Sequence, residues 1–500
     1  MPRVRARWVG VGGFALLFGF ALALLRGQPV AASDQGVYLS IAARMLDGDT
    51  LYAEVADPKD PFFFYTYAAA LWIADWRGPF LLDGIWLAVA SVSIVLLLRA
   101  LGAPRSAIVA GFFIYPLALT SGWFQPGLSM LAGLAVAPLP AWAWLRGRFA
   151  VAGALLGTVM LFKLNLAGIA AASLLGFVVV GAPEGSRRGQ LSRGVLGLAV
   201  FLAGAAAILG IRGELRAYLD MIAYNVQYAR SGLEHLGPVD RARAHLDVVV
   251  QYFESAGRWQ LPGAVLVLGL FAVAGYLVWT RGGSNRRLLA AGAVLTLLAT
   301  LGTLALTAFW RHHLQMLAYP IVLIAATGVS AVALLFGRRA GAIAAAACTV
   351  FALWSSVKNE DRIDISSAWT TAPHSGGAVA LERARMRFHA GDDKVAYIVF
   401  GGNSENAHAV FIGDELDLVC RWFHIYPQSL TKYFEETVEC FGREDPDLVL
   451  VTLGFFDSRL APPEWAAFVA SARRFLDTRY ELVETEHPGF EVWRQKPTVA

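Results

Sequence analysis

Apolar segments alternate with polar loops along the first 357 residues of the chain. The first segment, Trp8–Leu25, has no charged residue and is long enough, as a helix, to span a hydrocarbon core of about 30 Å. Further apolar segments follow at Phe80–Leu98, Ala107–Trp123, Leu128–Leu145, Phe149–Phe162, Leu164–Val180, Gly194–Ile211, Pro262–Thr280, Leu288–Thr307, Leu314–Phe336 and Gly341–Val357. The pattern predicts a polytopic α-helical membrane protein with about eleven transmembrane helices.

The segment Pro61–Trp76 is also apolar and leaves the helix count open. If it crosses the membrane, Arg99 and Arg105 fall on the outer side, against the rule that basic loops stay in the cytoplasm. We therefore expect either a re-entrant or interfacial helix at this place or an exception to the rule. Twelve or thirteen crossings remain compatible with the pattern.

Basic loops predict the orientation. Under the positive-inside rule, "RGR" at 146, "SRRGQLSR" at 186, "RGGSNRR" at 281 and "GRR" at 337 are cytoplasmic. The loops at 120–127, 163, 212–260 and 308–313 then face outward, and so does the tail after Lys358. A signal peptide competes for the first segment, which three arginines precede, but the segment is long for one and lacks a small-x-small cleavage site. We expect a retained helix with a cytoplasmic N-terminus.

Beyond residue 357 the chain is mixed and charged and no longer shows long apolar segments. Residues 395–402 and 447–454 are typical of buried strands, and residues 462–480 of a helix with proline in its first turn. Near-alternating apolar residues around a Pro-Gly turn predict a hairpin at 480–495. The chain therefore divides into a transmembrane module, residues 1–357, and a small extracytoplasmic α/β domain, residues 358–500.

The cysteines leave two interpretations open. In an oxidising compartment Cys420 and Cys440 favour a disulfide, but two buried thiols fit the sequence equally, because spacing does not determine pairing. Cys348 lies inside an apolar segment, where packing is its simplest role.

Composition narrows the class of protein. The chain is 57% hydrophobic and 16% charged, with a mean hydropathy of +0.52, against about 45–50% and 25% in soluble domains. The net charge is only +4, and no basic run occurs outside the cytoplasmic loops, so nucleic acid is not an expected partner. Abundant alanine, glycine and arginine point to a bacterial inner membrane. No Gly-rich phosphate loop, CxxC pair or HExxH occurs, so we expect neither a cofactor nor a dedicated metal site. A requirement for a divalent metal is left open.

The first outward loop, residues 27–61, places many charges beside the lipid. Ser33 and Asp34 are good helix starters, and the apolar positions after them recur on one helical face, with Ser40, Arg44 and Asp47 on the other. This pattern predicts a short amphipathic helix along the outer membrane surface. Capping that helix is one interpretation of Asp34, and catalysis is the other.

The loop resembles the first extracytoplasmic loop of the GT-C glycosyltransferases, which use a polyprenyl-phosphate-linked sugar as donor. The resemblance to the aminoarabinose transferases and protein mannosyltransferases depends on Asp34 after the first helix, Tyr38 four residues on, "IAARMLDG" at 41–48 and "DPKDPFFFY" at 57–65. It covers about the first hundred residues. Gln35 stands where the family often has Glu, Val37 where it often has a basic residue, and the loop at 121–127 has no carboxylate, which puts a second acidic ligand in doubt.

The resemblance implies a role for each polar residue of the loop. Asp34 is expected to be the base that deprotonates the acceptor hydroxyl, and Lys59 to bind the donor phosphate as it leaves. Asp57 is expected to position Lys59 or the sugar, and Tyr38 to contact substrate. Arg44 is a second candidate for the phosphate, or an arginine whose stem covers apolar surface.

Three more candidates lie at outward ends of later segments. Lys163 stands between apolar segments, where a cation is costly and suggests phosphate binding, or it reaches headgroup water from a tight turn. Arg311, a basic residue of the kind family members often carry there, is expected to contact the phosphate. His312 is expected to contact sugar or acceptor. The pair formed by His312 and His313 does not predict a metal site, because adjacent helical residues point about 100° apart.

Three function classes fit to different degrees. An inverting glycosyltransferase that moves a sugar from a polyprenyl-phosphate donor to an extracytoplasmic glycan, lipid or protein explains the charged loop, the outward domain and Lys163 together. A transporter or flippase for a lipid-linked substrate is the alternative, but it predicts paired broken helices in two halves, and these are not visible. A non-catalytic scaffold of the cell envelope explains none of the loop charges.

Overall fold

The structure is a computed structural model that describes most of the membrane helices and parts of the C-terminal region. The described residues are 2–26, 34–57, 59–120, 129–181, 187–223, 240, 243, 247, 272–281, 283–306, 311–357, 394–399, 417–418, 420, 430–452, 465–484 and 490–496. The predicted loop 121–127, most of the loop 212–260, the first half of Pro262–Thr280 and the start of the tail lie outside them.

The chain forms two compact units, each built from separate stretches of sequence. The first comprises Met1–Gln28, Phe80–Ala207 and Leu236–Ile363. The second comprises Pro29–Pro79, Ile208–His235 and Asp364–Ala500. The second unit thus joins the charged first loop and the residues after 207 to the C-terminal region, although they are far apart in sequence.

The first unit is helical. Its described helices are α1 (Pro2–Arg26), α4 (Gly78–Ala100, which begins in the second unit), α5 (Arg105–Leu119), α6 (Ser129–Val136), α7 (Pro138–Leu145), α8 (Phe149–Phe162), α9 (Leu164–Gly181), α10 (Arg187–Ile211, which ends in the second unit), α12 (residues 272–281), α13 (Ser284–Leu306) and α14 (Ala318–Val357). These helices follow the predicted apolar segments closely. The segment predicted at Leu128–Leu145 is interrupted at Ala137, because Pro138 has no N–H to continue the hydrogen-bond ladder.

Length and composition identify the membrane helices. Within the described residues, four helical stretches are long and apolar enough to cross a membrane, namely Leu81–Ala100, Arg187–Ile211, Arg287–Leu304 and His313–Trp354. The same described residues also contain six shorter apolar helices. The last long stretch is bent at Gly337, whose φ of 84° is not helical, so it comprises the two segments predicted on either side of "GRR". The chain is a multi-pass membrane protein.

Small residues allow close helix packing in the first unit. A Cβ atom on Gly153 of α8 would lie 1.9 Å from the carbonyl oxygen of Gly194 in α10, and one on Gly197 would lie 2.0 Å from that of Ala150. Such contacts bring two backbones together, which is how helices gain dispersion energy in lipid. Elsewhere α5 packs along α14, and α9 packs along α13.

The second unit contains three described helices near the first loop and an α/β region. The helices are α2 (Asp34–Asp47), α3 (Pro61–Ala74) and α11 (residues 215–223). The α/β region holds α15 (Leu430–Glu444), α16 (Trp465–Arg479) and the strands β1 (Lys394–Val399), β2 (Asp417–Leu418), β3 (Leu448–Thr452), β4 (Tyr480–Glu484) and β5 (Phe490–Gln495). The predicted strands, helix and hairpin are confirmed.

The five strands form one mixed sheet in the order β2-β1-β3-β5-β4. The pairs β2/β1 and β1/β3 are parallel, whereas β3/β5 and β5/β4 are antiparallel. All side chains from Leu448 to Val451 are at most 1% exposed, as expected for a central strand covered on both faces.

A disulfide joins Cys420 to Cys440, which settles the alternative between a bridge and two thiols. The two Cα atoms are 5.9 Å apart, within the range that a disulfide requires. The bridge closes a loop over a sequence separation of 20. In the chain-entropy account, a loop of this size stabilises the folded state by about 3 kcal/mol.

Candidate active site

The part of the first loop that follows α2 is a tight turn in which Leu51, Tyr52 and Val55 are buried. Gly48, with φ 113°, ends this helix, a position where glycine avoids the steric cost of a side chain. The loop then turns at Tyr52, whose φ is 65°, a conformation that costs a non-glycine residue about 1–3 kcal/mol. The Tyr52 N–H donates to the Val55 carbonyl at 2.7 Å, and the Glu54 N–H donates to the Thr50 carbonyl at 2.9 Å. These bonds hold the strained turn.

Asp57 and Lys59 form an ion pair at the end of this loop. The Lys59 Nζ lies 3.4 Å from Asp57 Oδ1, and the two side chains are 18% and 1% exposed. The Lys59 N–H also donates to the Asp57 carbonyl at 2.8 Å. This distance between nitrogen and oxygen is longer than the roughly 2.7–2.9 Å of a charge-assisted hydrogen bond. The ammonium of Lys59 therefore lies near the Asp57 carboxylate but is not tightly bound by it.

An aromatic cluster lies beneath Lys59. The Tyr38 ring packs edge-on against the rings of Phe63 and Tyr67, with ring centres 4.7 Å and 5.9 Å away, and it also contacts Phe64. The Lys59 Nζ is 5.5 Å from the centre of the Tyr38 ring, close enough for a cation–π interaction. Tyr38 is 1% exposed, so in this structure it supports Lys59, and its predicted substrate contact stays a prediction.

The packing of α2 corrects one expectation. Ser40 was expected on an exposed polar face, but it is 2% exposed, and Leu39 beside it is equally buried. The prediction of an exposed polar face is therefore wrong at Ser40, whereas Asp47, predicted on the same face, is exposed. The helix α3 packs against α2, and its Phe63 contacts Tyr38.

Asp60 precedes α3 and accepts a hydrogen bond from a distant tyrosine. The Tyr218 hydroxyl donates to Asp60 Oδ1 at 2.9 Å, and the Asp60 side chain makes no capping bond to its own helix. The Tyr218 ring lies 5.2 Å from the ring of Tyr52. The Tyr52 hydroxyl in turn donates to the Lys59 carbonyl at 2.6 Å.

Both tyrosine hydroxyls are held in the protonated form. Burial raises the pKa of Tyr52 well above its ordinary value, and the carboxylate of Asp60 raises it further. Burial also raises the pKa of Tyr218, again with a contribution from Asp60. At neutral pH both phenols are therefore hydrogen-bond donors.

Glu214 connects the start of α11 to α3. It is fully buried and accepts hydrogen bonds from the Tyr65 hydroxyl and, at 2.9 Å, from Arg212 Nε. The Arg212 guanidinium also lies 5.2 Å from the centre of the Tyr65 ring. Buried charge is tolerated when it is paired and hydrogen-bonded, and Glu214 meets both conditions.

Arg44 has protein partners in this structure. Its guanidinium bonds to Asp49, donates to the Cys420 carbonyl at 2.8 Å and donates to the Glu54 carbonyl at 3.0 Å. These contacts join α2, the first loop and the disulfide-bonded segment. The predicted contact between Arg44 and the donor phosphate remains a prediction. The alternative, in which the Arg44 side chain only covers apolar surface, does not account for these hydrogen bonds.

Asp34 is the first residue of α2, as predicted. Its side chain lies outside the described residues, so neither its catalytic role nor helix capping is tested. Tyr38 follows it by one helical turn, a rise of about 6 Å. The backbone thus places Asp34 one turn from the residue whose ring contacts Lys59.

The remaining candidates belong to the first unit. Lys163 is the single extended residue between α8 and α9, with its N–H bonded to the Val159 carbonyl at 2.9 Å. Arg311 and His312 begin a 3-10 helix, Arg311–Leu317, that leads into α14. The side chains of Arg311 and His312 lie outside the described residues. The roles of all three residues stay predictions.

The described residues contain no cluster of three or more His, Cys, Asp or Glu side chains that could hold a metal ion. Asp57, Asp60 and Glu214 are instead paired with lysine, tyrosine and arginine. The expectation that the protein works without a cofactor is not tested by this observation.

Sequence reasoning missed Tyr52, Tyr65, Glu214 and Tyr218. One signal was available. Glu214 is a carboxylate just after the end of an apolar segment, and Tyr218 follows it by one helical turn. An acid at a membrane boundary needs a partner, but the sequence does not say which.

The fold of the chain is similar to that of solved structures with which it shares 13–14% sequence identity. Similar solved structures include ArnT from Cupriavidus metallidurans bound to undecaprenyl phosphate, with a TM-score of 0.57 and 14% identity over 99% of both chains. The same protein in the apo state gives a TM-score of 0.54 at 13% identity over 98% of both chains. The arabinofuranosyltransferase AftD from Mycobacteria gives 0.53 at 13% identity, covering 99% of this chain and 40% of AftD.

No protein-family model matches the chain, and no curated protein matches it by sequence. The similarity therefore establishes the fold, which confirms the predicted polytopic helical architecture with a small C-terminal α/β domain. The function has to be inferred from the residues of the candidate site.

Proposed function

We propose that the protein is an inverting glycosyltransferase that moves a sugar from a polyprenyl-phosphate carrier to an acceptor outside the cytoplasm. The observation that carries the proposal is the position of Lys59. Lys59 is a mostly buried cation beside Asp57, and it contacts the ring of Tyr38. Tyr38 follows Asp34 by one helical turn. A candidate base and a candidate phosphate ligand therefore belong to one compact piece of the fold.

The reaction needs both groups. The acceptor oxygen attacks the anomeric carbon from the face opposite the carrier phosphate, and the bond between that carbon and the phosphate oxygen breaks with its electron pair on the phosphate. Asp34 takes the proton of the attacking hydroxyl. Lys59 stabilises the negative charge that grows on the departing phosphate. Asp57 holds the ammonium on the correct side of the loop.

The fold supports the choice of donor. One similar structure, ArnT from Cupriavidus metallidurans, is bound to undecaprenyl phosphate, and it matches this chain over its full length. At 14% identity this is an analogy of fold, and the mostly buried Lys59 of the first loop adds a chemical reason to expect a phosphate. The sugar and the class of acceptor, whether glycan, lipid or protein, are left to experiment.

The orientation is part of the proposal. The basic loops point to the cytoplasm, and the bond between Cys420 and Cys440 suits an oxidising compartment, such as the outer side of a bacterial inner membrane.

Alkylation of thiols in intact cells, before lysis, should leave both cysteines unlabelled until a reductant is added. Labelling of the pair without reductant would place the C-terminal domain in the cytoplasm and contradict this orientation.

The proposed function predicts a change in envelope glycans. Cells that lack the gene should lose one glycan or lipid modification, or accumulate the sugar-loaded carrier, when lipid-linked and protein-linked glycans are analysed by mass spectrometry. The wild-type gene should restore the profile and Asp34→Asn should not. Asp47→Asn, which alters an exposed carboxylate at the other end of α2, is the matched control and should restore it. An unchanged profile in the deletion strain would count against a transferase and favour a transporter or scaffold.

A further inference from the structure

Two buried tyrosines contact the backbone and side chain of adjacent residues at the centre of the proposed site. The Tyr52 hydroxyl donates to the carbonyl of Lys59 at 2.6 Å, and the Tyr218 hydroxyl donates to the carboxylate of the next residue, Asp60, at 2.9 Å. The two rings lie 5.2 Å apart. One ring pair therefore supplies two hydrogen bonds to consecutive residues.

We propose that Tyr52 and Tyr218 are positioning residues for Lys59, which hold the Lys59 carbonyl and the Asp60 carboxylate and so direct the ammonium toward Asp57 and Tyr38. The arrangement is independent of what Lys59 binds. That Lys59 binds a carrier phosphate depends on the proposed function.

The hydrogen bonds leave the Lys59 backbone little freedom. Its N–H is bonded to the Asp57 carbonyl at 2.8 Å and its carbonyl accepts from Tyr52. The Asp60 carbonyl accepts the Phe63 N–H at 3.2 Å at the start of α3. With the backbone bonded on both sides, the lysine side chain starts from a defined position, and its ammonium needs only to reach the nearby carboxylate.

The two tyrosines reach this position by different means. Tyr52 has a left-handed φ of 65° and is fully buried, and its turn is the local feature that directs the ring toward Tyr218. Tyr218 lies on α11, and the N–H of Tyr218 bonds to the carbonyl of Glu214 at 2.9 Å. Since the Glu214 carboxylate also bonds to Tyr65 of α3, α11 is attached to the helix that begins directly after Asp60.

Packing alone does not explain why these rings carry hydroxyls. Phenylalanine would fill nearly the same volume, and a buried hydroxyl is tolerated only when it is hydrogen-bonded. Each hydroxyl donates its bond to the peptide segment that carries Lys59. Replacing tyrosine by phenylalanine therefore removes the proposed positioning and keeps most of the packing.

Lysine acylation in the purified full-length protein tests this without donor or acceptor. The protein in detergent is treated briefly with an amine-acylating ester, and mass spectrometry gives the labelling rate of Lys59 relative to exposed Lys496. Tyr52→Phe and Tyr218→Phe should each raise this rate about fivefold, the size expected for loss of one hydrogen bond. Asp60→Ala removes the same bond as Tyr218→Phe, so combining these two should add nothing. Tyr480→Phe, which removes a buried hydroxyl in the α/β region, is the control and should leave the rate unchanged.

Each outcome decides the matter. Unchanged Lys59 labelling in both phenylalanine variants would overturn the proposal, and so would an equal rise at Lys163, which would indicate general loosening. A selective rise at Lys59 with an unchanged melting temperature would support it. If glycans are unchanged in cells that lack the gene, the proposed function fails while this result stands. If Lys59→Ala abolishes transfer but the labelling does not respond, the positioning role fails alone.

Discussion

Asp34→Asn is expected to lower turnover about 10²-fold or more while the protein stays folded and inserted, because an amide cannot accept the acceptor's proton. Asparagine starts a helix as well as aspartate does, so α2 should form normally in the variant. The substitution therefore separates the base from the helix-starting role that the sequence leaves open. Turnover is measured with polyprenyl-phosphate-linked sugars extracted from membranes of the host cells.

The control for Asp34 lies on the same helix. Asp47→Asn also removes one negative charge from α2, at its exposed end, and should leave turnover close to that of the wild type. Near-normal turnover in Asp34→Asn itself would return Asp34 to the start of a helix and leave the reaction without its proposed base.

Lys59→Ala is expected to reduce kcat about 10²-fold with a smaller effect on KM for the donor, since charge on the phosphate grows as the glycosidic bond breaks. A contact that strengthens from ground state to transition state lowers the barrier more than it raises affinity. The measurement is steady-state transfer as a function of donor concentration.

The structure shows why Lys59→Ala has to be compared with a double variant that also removes the charge of Asp57. Asp57 is 1% exposed and pairs with Lys59, so Lys59→Ala leaves a buried carboxylate without this cation and destabilises the loop, by up to about 3–5 kcal/mol for a fully buried pair. Asp57→Asn combined with Lys59→Ala removes both charges and should recover much of the melting temperature. It should not recover kcat. Recovered activity in the double variant, or an unaltered kcat in Lys59→Ala, would show that the pair is structural and that the phosphate is bound elsewhere.

The membrane helices were predictable because each one depends mainly on its own residues. The segment predicted at Phe149–Phe162 is helix α8 with the same bounds, and the break at Lys163 is where the sequence places it. The cost of leaving an apolar segment in water, or a backbone unpaired in lipid, is decided locally. The strands β1, β3, β4 and β5 were predictable for a similar reason, since their apolar runs and the Pro-Gly turn are local signals.

The surroundings of the site were only partly predictable. The motif "DPKDP" identified Asp57 and Lys59 as a pair worth testing, and the two are indeed adjacent in space. The periodicity of α2 indicated a surface helix with an exposed polar face, but residues 37–42 are buried, including the polar Ser40. Periodicity reports which face of a helix is apolar, and it does not report whether other parts of the fold will cover the polar face as well.

The sequence by itself determined that this is a multi-pass helical membrane protein with a charged first loop and a small α/β domain, because hydrophobicity and turn signals act within single segments. Only the tertiary structure decided which groups surround Lys59. Tyr218 contacts Asp60 across 158 residues and Glu214 contacts Tyr65 across 149. A buried carboxylate or hydroxyl must be paired, but any of several polar residues satisfies that need, so the partner is chosen by which segments the folded chain brings together.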